Sequence, residues 1–175
     1  MILEIINFLD LNGLNTEGVY RLSSPQCELT KARQDIATDI NAVQSLPVIT
    51  LCNLLKMIIR ELATPLINED VVQDLLRANA CITESEKCKR IKCVLQQLER
   101  THLECLTDII LHLRRVANNA AVNKMTAENL AVVFAPSLMR TALSYSNQEP
   151  LAAINAANED NKQKCQVIAL LIKTL

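Results

Sequence analysis

Glycine is almost absent. Only Gly13 and Gly18 occur in 175 residues, so neither a G-x-x-x-x-G-K loop nor a G-x-G-x-x-G turn, each of which brings backbone N–H groups onto a phosphate, can be written in this chain. If the protein acts on a nucleotide, a partner must hold that nucleotide. Aromatic residues are nearly as scarce: two Tyr, two Phe and no Trp leave little for nucleobases to stack on. A formal net charge of −1 supplies no global field to draw in a polyanion, so no nucleic acid partner is expected. The seven cysteines, at 27, 52, 81, 88, 93, 105 and 165, include no C-x-x-C pair, and His102 and His112 are the only histidines. Scattered thiols in odd number, without ligand spacing, read as reduced and mostly buried side chains of a cytosolic protein, with neither disulfides nor a metal site expected. No apolar run approaches the ~18 residues that span a bilayer. The opening MILEIINFLDLNG carries acids within its apolar stretch rather than the basic flank of a signal peptide. A chain that begins directly in an apolar helical pattern reads as a domain excised from a longer protein, although Met1 fits a natural start equally well.

What the chain does have is apolar residues, 50% of the total, enough for one continuous core at this length. Residues 1–175 are therefore read as one domain. Ile2, Ile5, Ile6 and Leu9 recur at helical spacing, with Gly13 placed for a left-handed C-terminal cap. The segment LNTEGVYRLSSPQ, residues 14–26, mixes turn formers with a brief β-favouring run and reads as an ordered loop that presents side chains. A polar helix follows to about residue 39, then a connection ending at Pro47. The clearest helix is TLCNLLKMIIREL, in which Leu51, Leu54, Leu55, Ile58, Ile59 and Leu62 form one apolar stripe. It stops before Pro65, which disfavours helical backbone at Thr64. Further helices are predicted at about 69–79, at 84–98 behind the capping box of Thr83 and Glu86, and from about 103 to 118. Another is predicted behind Thr126 as N-cap, bent or shortened by Pro136. Residues 141–159, rich in Asn and Ala, lack strong periodicity and read as a loop or insertion with some helical character, with a last helix from about 160. No alternating strand and no internal repeat appears. The expected fold is all-α, a bundle of about eight or nine helices.

Four polar positions stand out for where they fall. Arg21 follows EGVY in a glycine-bearing loop, so its permanently charged fork can project from a fixed base; an arginine in an arbitrary loop is ordinarily just solvated surface. Lys56 and Arg60 lie one turn apart on the flank of the apolar stripe, where lysines and arginines commonly snorkel over greasy neighbours. Asn129, one turn into its helix, is ordinarily a capping-region side chain.

Taken in order and at their spacing, EGVYRLS, LLKMIIREL and NKMTAENLAVVFAPSLM resemble the signature blocks of the Rho GTPase-activating protein (RhoGAP) domain family. The third block is the most specific, and the resemblance runs over roughly residues 2–140. It implies that Arg21 is an arginine finger that enters the nucleotide site of a GTP-bound Rho, Rac or Cdc42-type GTPase. Lys56 and Arg60 match the family's basic pair, which supports the finger loop and contacts the partner's switch region. Asn129 matches an interface asparagine near the finger. Pro136 matches a proline at the groove facing the GTPase, where contact and helix shaping weigh equally. On this reading the protein needs no cofactor of its own, because GTP and Mg²⁺ stay with the partner, and it is an activator rather than an enzyme. A cytoplasmic setting follows, with any membrane recruitment supplied by flanking domains or by the GTPase.

Two positions depart from the family pattern. Ser24 stands where glycine is common, which would strain the finger loop if that residue needed positive φ. Ala63 replaces the first proline of R-E-L-P-x-P-L, which touches only loop stiffness. The alternatives to an activator are a binding module of the same fold without catalytic effect, towards which Ser24 leans, and a helical scaffold with no GTPase partner.

Overall fold

The computed structural model describes residues 1–140 and 150–174, with side chains of the last helix from 157 onward. Nine α-helices and one 3₁₀ turn make up the described residues, which contain no strand. Helix α1 (Ile2–Asn12) buries Ile5, Ile6 and Leu9. Gly13 closes it in a right-handed conformation (φ −106°), not the left-handed one expected. The need for glycine is steric instead: a Cβ there would lie 3.0 Å from the Leu9 carbonyl oxygen and 3.2 Å from Val48 Cγ1. Helix α2 (Gln26–Thr38) starts directly after Pro25 and buries only Ala32 and Ile36, in keeping with its polar sequence.

The connection to Pro47 contains a 3₁₀ turn (Ile40–Ser45) that the sequence reading missed. Asp39 nucleates it by accepting the Asn41 amide at 2.9 Å, a local side-chain cap with no hydrophobic period to reveal it. Helix α3 (Val48–Glu61) is the central element. Its stripe Leu51, Leu54, Leu55 and Ile59 is fully buried, while Ile58 and Leu62 sit at the margin. It packs against α1, α2 and the later helix α8.

Helix α4 (Glu69–Asn79) is capped by Asn68 and α5 (Glu84–Leu95) by Thr83, whose hydroxyl accepts the Glu86 amide as the capping box requires. Helix α6 (Arg100–Asn118) packs against α1, and a single turn, α7 (Ala120–Asn123), follows it. Thr126 caps α8 (Ala127–Leu138), which continues only two residues past Pro136. Helix α9 (Pro150–Thr174) begins at Pro150, so the loop expected over 141–159 is corrected from 150 onward; residues 141–149 lie outside the described part. Alanine-rich backbone has high helix propensity even without an apolar stripe, which is why periodicity alone missed this stretch.

Only Cys52 is buried outright; Cys27 and Cys93 are exposed and the other four are intermediate, which corrects the expectation of mostly buried thiols. No helix among the described residues is long and apolar enough to cross a membrane.

Candidate functional site

The loop between α1 and α2 is tightly built. Gly18 takes φ +70°, and a Cβ there would also fall 2.9 Å from Leu22 Cγ, so only glycine fits. Its carbonyl accepts both the Arg21 and the Leu22 amide at 2.9 Å, and its own amide donates to the Asn123 carbonyl at 2.9 Å. Tyr20 also has positive φ, +67°, which costs an L-residue on the order of 1–2 kcal/mol. Among the described residues only Tyr20 and Lys124 are non-glycine residues in this region. Ser24 is not, so the strain anticipated there falls on Tyr20.

Tyr20 is the anchor that offsets this cost. It is completely buried, its ring edge-on to Phe134 at 4.8 Å and to His112 at 5.7 Å. Its hydroxyl meets His112 Nε2 at 2.5 Å. His112 Nδ1 meets Asp10 Oδ1 at 2.6 Å, and Arg115 closes the chain with a bidentate pair to the same carboxylate, at 3.0 and 2.6 Å. On its other side, the Tyr20 carbonyl accepts Lys56 Nζ at 2.7 Å. Two residues on, the Leu22 carbonyl accepts Asn53 Nδ2 at 3.0 Å, and the same amide nitrogen reaches Ile49 O at 2.8 Å. Arg21 therefore sits between two pinned residues. Its side chain is exposed, and among the described residues no hydrogen bond or ion pair engages its guanidinium.

Burial sets the electrostatics. Lys56 is pulled below the ordinary lysine range by desolvation, with Arg60 acting in the same direction. Desolvation also pushes Cys52 up to about 12 and Tyr20 well above the usual phenol value, so both remain protonated. At Asp10 desolvation opposes ionisation, but the hydrogen bonds from His112 and Arg115 prevail and hold the carboxyl at about 2. A carboxylate depressed in the folded state contributes stability above its unfolded pKa and loses it as pH falls through about 4 towards 2. That contribution is about 2 kcal/mol. Glu128 is lowered over the same window by Lys173 on the exposed surface. Urea melts of the parent and Asp10→Asn between pH 6 and 2.5 should separate the two: the variant loses the Asp10 share of the acid decline and keeps that of Glu128. Parallel curves would refute the Asp10 contribution.

Lys56, Arg60 and Pro136 line one groove between α3 and α8, together with Ser23, Ser24, Asn53 and Val133. Ser24 Oγ is buried there without a partner among the described residues. Asn129 does not line the groove. It lies two turns before Pro136 on α8, exposed, with its amide nitrogen 3.3 Å from Lys124 O, and its backbone N–H completes the Thr126 cap. The sequence reading missed Asp10, Tyr20, Asn53, Arg115 and Asn123, and weighed His112 only as a metal ligand. Tyr20 and Asn123 had a signal, since one lies in the EGVYRLS block and the other opens the N-K-M-T block.

The chain matches the RhoGAP domain family over residues 1–142. It is similar to unconventional myosin-IXa of Homo sapiens, 34% identical over 139 residues, covering 78% of this chain and 6% of that protein. Rho GTPase-activating protein 35 of Rattus norvegicus is 32% identical over 151 residues, 85% of this chain and 10% of its own length. Rho GTPase-activating protein 21-A of Xenopus laevis is 37% identical over 137 residues, 74% and 7%. The chain thus spans about a tenth or less of these relatives. Among solved structures, the BH domain from Graf, the GTPase regulator associated with focal adhesion kinase, superposes with a TM-score of 0.83 at 25% identity, over 98% of this chain and 88% of that one. Human Rho GTPase activating protein 15 gives 0.84 at 20% identity, over 98% and 79%, a likeness of fold.

Proposed function

The chain belongs to the RhoGAP domain family, and on that premise we propose that it accelerates GTP hydrolysis by a Rho-family small GTPase through Arg21, inserted in trans. The observation that carries the reading is the exposed, unengaged Arg21 side chain between residues fixed by Lys56 and Asn53. A long cationic side chain normally loses much freedom when it docks; here the backbone part of that cost is met before the partner arrives.

The chemistry follows from what GTP hydrolysis lacks. Charge spreads over the phosphate oxygens in the transition state, and a preorganised cation stabilises it more than it stabilises the ground state. The guanidinium is planar and always protonated, so it can bridge two oxygens, and its entry excludes water from the partner's site. GTP and Mg²⁺ belong to the GTPase throughout. Lys56 serves the finger from beneath, through the Tyr20 carbonyl, which leaves Arg60, Pro136 and the exposed edge of α8 with Asn129 to face the partner. The binding-only alternative drew on Ser24, and the right-handed or extended backbone there gives it no support.

The test is single-turnover GTP hydrolysis by Rho, Rac and Cdc42, each with and without this domain. Stimulation on the order of 10³-fold or more is expected for the preferred partner. A folded sample that binds GTP-loaded GTPase and leaves the rate unchanged would move the assignment to a binding module.

A further inference from the structure

We propose that Asp10 and His112, on α1 and α6, are positioning residues for Arg21: through the Tyr20 hydroxyl they fix the left-handed backbone from which the finger projects. This inference rests on the finger assignment above. Neither residue belongs to the groove, and His112 is 0% exposed, so any effect on a bound GTPase must pass through Tyr20.

The direction of the His112–Asp10 hydrogen bond is forced. The Asp10 carboxylate is acceptor-only, and both its oxygens already receive Arg115, so His112 Nδ1 must carry the proton it shares with Asp10. In the neutral ring Nε2 is then an acceptor, and the Tyr20 O–H donates to it. Arg115 fixes the carboxylate, the carboxylate fixes the tautomer and tilt of the imidazole, and the imidazole fixes one rotamer of Tyr20. With its carbonyl held by Lys56 and its ring against Phe134, Tyr20 is gripped at both ends. Releasing the hydroxyl end removes one of the constraints opposing relaxation of φ +67° to a right-handed or extended value. Such a rotation redirects the next Cα–Cβ bond, which is that of Arg21. Phosphoryl transfer is sensitive to displacement of this size: about 1 Å of misplacement costs up to roughly 10²-fold in rate.

Tyr20→Phe tests this with the ring packing kept, and His112→Phe tests it one link further back; both are compared with the parent and Arg21→Ala. Loss of one hydrogen bond, about tenfold in a local equilibrium, should speed amide exchange at Arg21 and Leu22 by about that factor while α3 and α8 amides keep their protection. In single-turnover assays the maximal stimulated rate should fall about tenfold, with the domain concentration for half-maximal stimulation within about twofold of the parent. Parent-like exchange and maximal rate in Tyr20→Phe overturn the inference. So does a loss of thermal stability with an unchanged maximal rate per folded molecule, which marks a merely structural role. If the parent itself stimulates no GTPase, the activator reading fails, and the exchange comparison alone decides whether this relay fixes Arg21.

Discussion

Arg21→Ala is expected to remove nearly all stimulation, a fall on the order of 10³-fold or more in the single-turnover rate, while the melting temperature and most of the affinity for GTP-loaded GTPase are retained. Stability should be unaffected because the side chain is exposed and no hydrogen bond or ion pair among the described residues depends on it. Surface substitutions of that kind usually shift folding free energy by less than about 0.5 kcal/mol. The loop's geometry does not rest on the Arg21 side chain either: the hydrogen bond from its backbone N–H to Gly18 O is made by backbone that alanine keeps. Arg21→Lys separates charge from shape. A lysine retains the positive charge and loses the planar fork, so it should recover only a small part of the rate. Parent-like activity in Arg21→Ala, from a sample with a native melt, would place the catalytic contribution on another residue.

The sequence made the bundle legible because most of it is written in one alphabet, the helical period. Helix α4 was read at its observed bounds, and α3 and α8 within a few residues, where stripes such as Leu51, Leu54, Leu55 and Ile59 coincide with recognisable stop and start residues. Elements built by local hydrogen bonds rather than by periodic burial were missed: the 3₁₀ turn nucleated by Asp39, and the single turn α7. At the site, the candidates legible in the sequence were residues of short motifs, of which Arg21, Arg60 and Asn129 are exposed and Lys56 turns in to the Tyr20 carbonyl. The groups that hold the loop are buried polar residues, and partners such as Asp10 and His112 are 102 positions apart in the chain. No local pattern announces a hydrogen bond over that distance. The same limit explains Ser24, where a one-residue departure from a motif suggested strain that the backbone places four residues earlier, on Tyr20.

Asn123→Ala should be the most damaging single truncation of a polar side chain in this domain. Asn123 is completely buried and uses its whole amide. Nδ2 donates to Leu14 O and Val116 O, each at 2.8 Å, and Oδ1 accepts the Met125 amide at 2.8 Å. Those three backbone groups belong to the finger loop, the end of α6 and the approach to α8. The side chain thus ties together three segments through their backbone. Alanine leaves the Leu14 carbonyl and the Met125 N–H unpaired, at about 1–3 kcal/mol each, while Val116 O keeps the Asn119 amide at 3.1 Å, so a loss of about 3 kcal/mol is expected against a total stability of roughly 5–15 kcal/mol. For a domain of this size that lowers the melting temperature by about 10 °C. The Gly18 amide is held by the Asn123 backbone carbonyl, which alanine retains, so the finger loop loses one of its two ties here rather than both. Folded Asn123→Ala should accordingly keep measurable Arg21-dependent stimulation at low temperature and lose it on warming well before the parent does. Urea denaturation gives the magnitude directly: a destabilisation below about 1 kcal/mol would mean that water or backbone shifts satisfy the two groups, and that the corner is held by packing of Met125 and Leu130 instead.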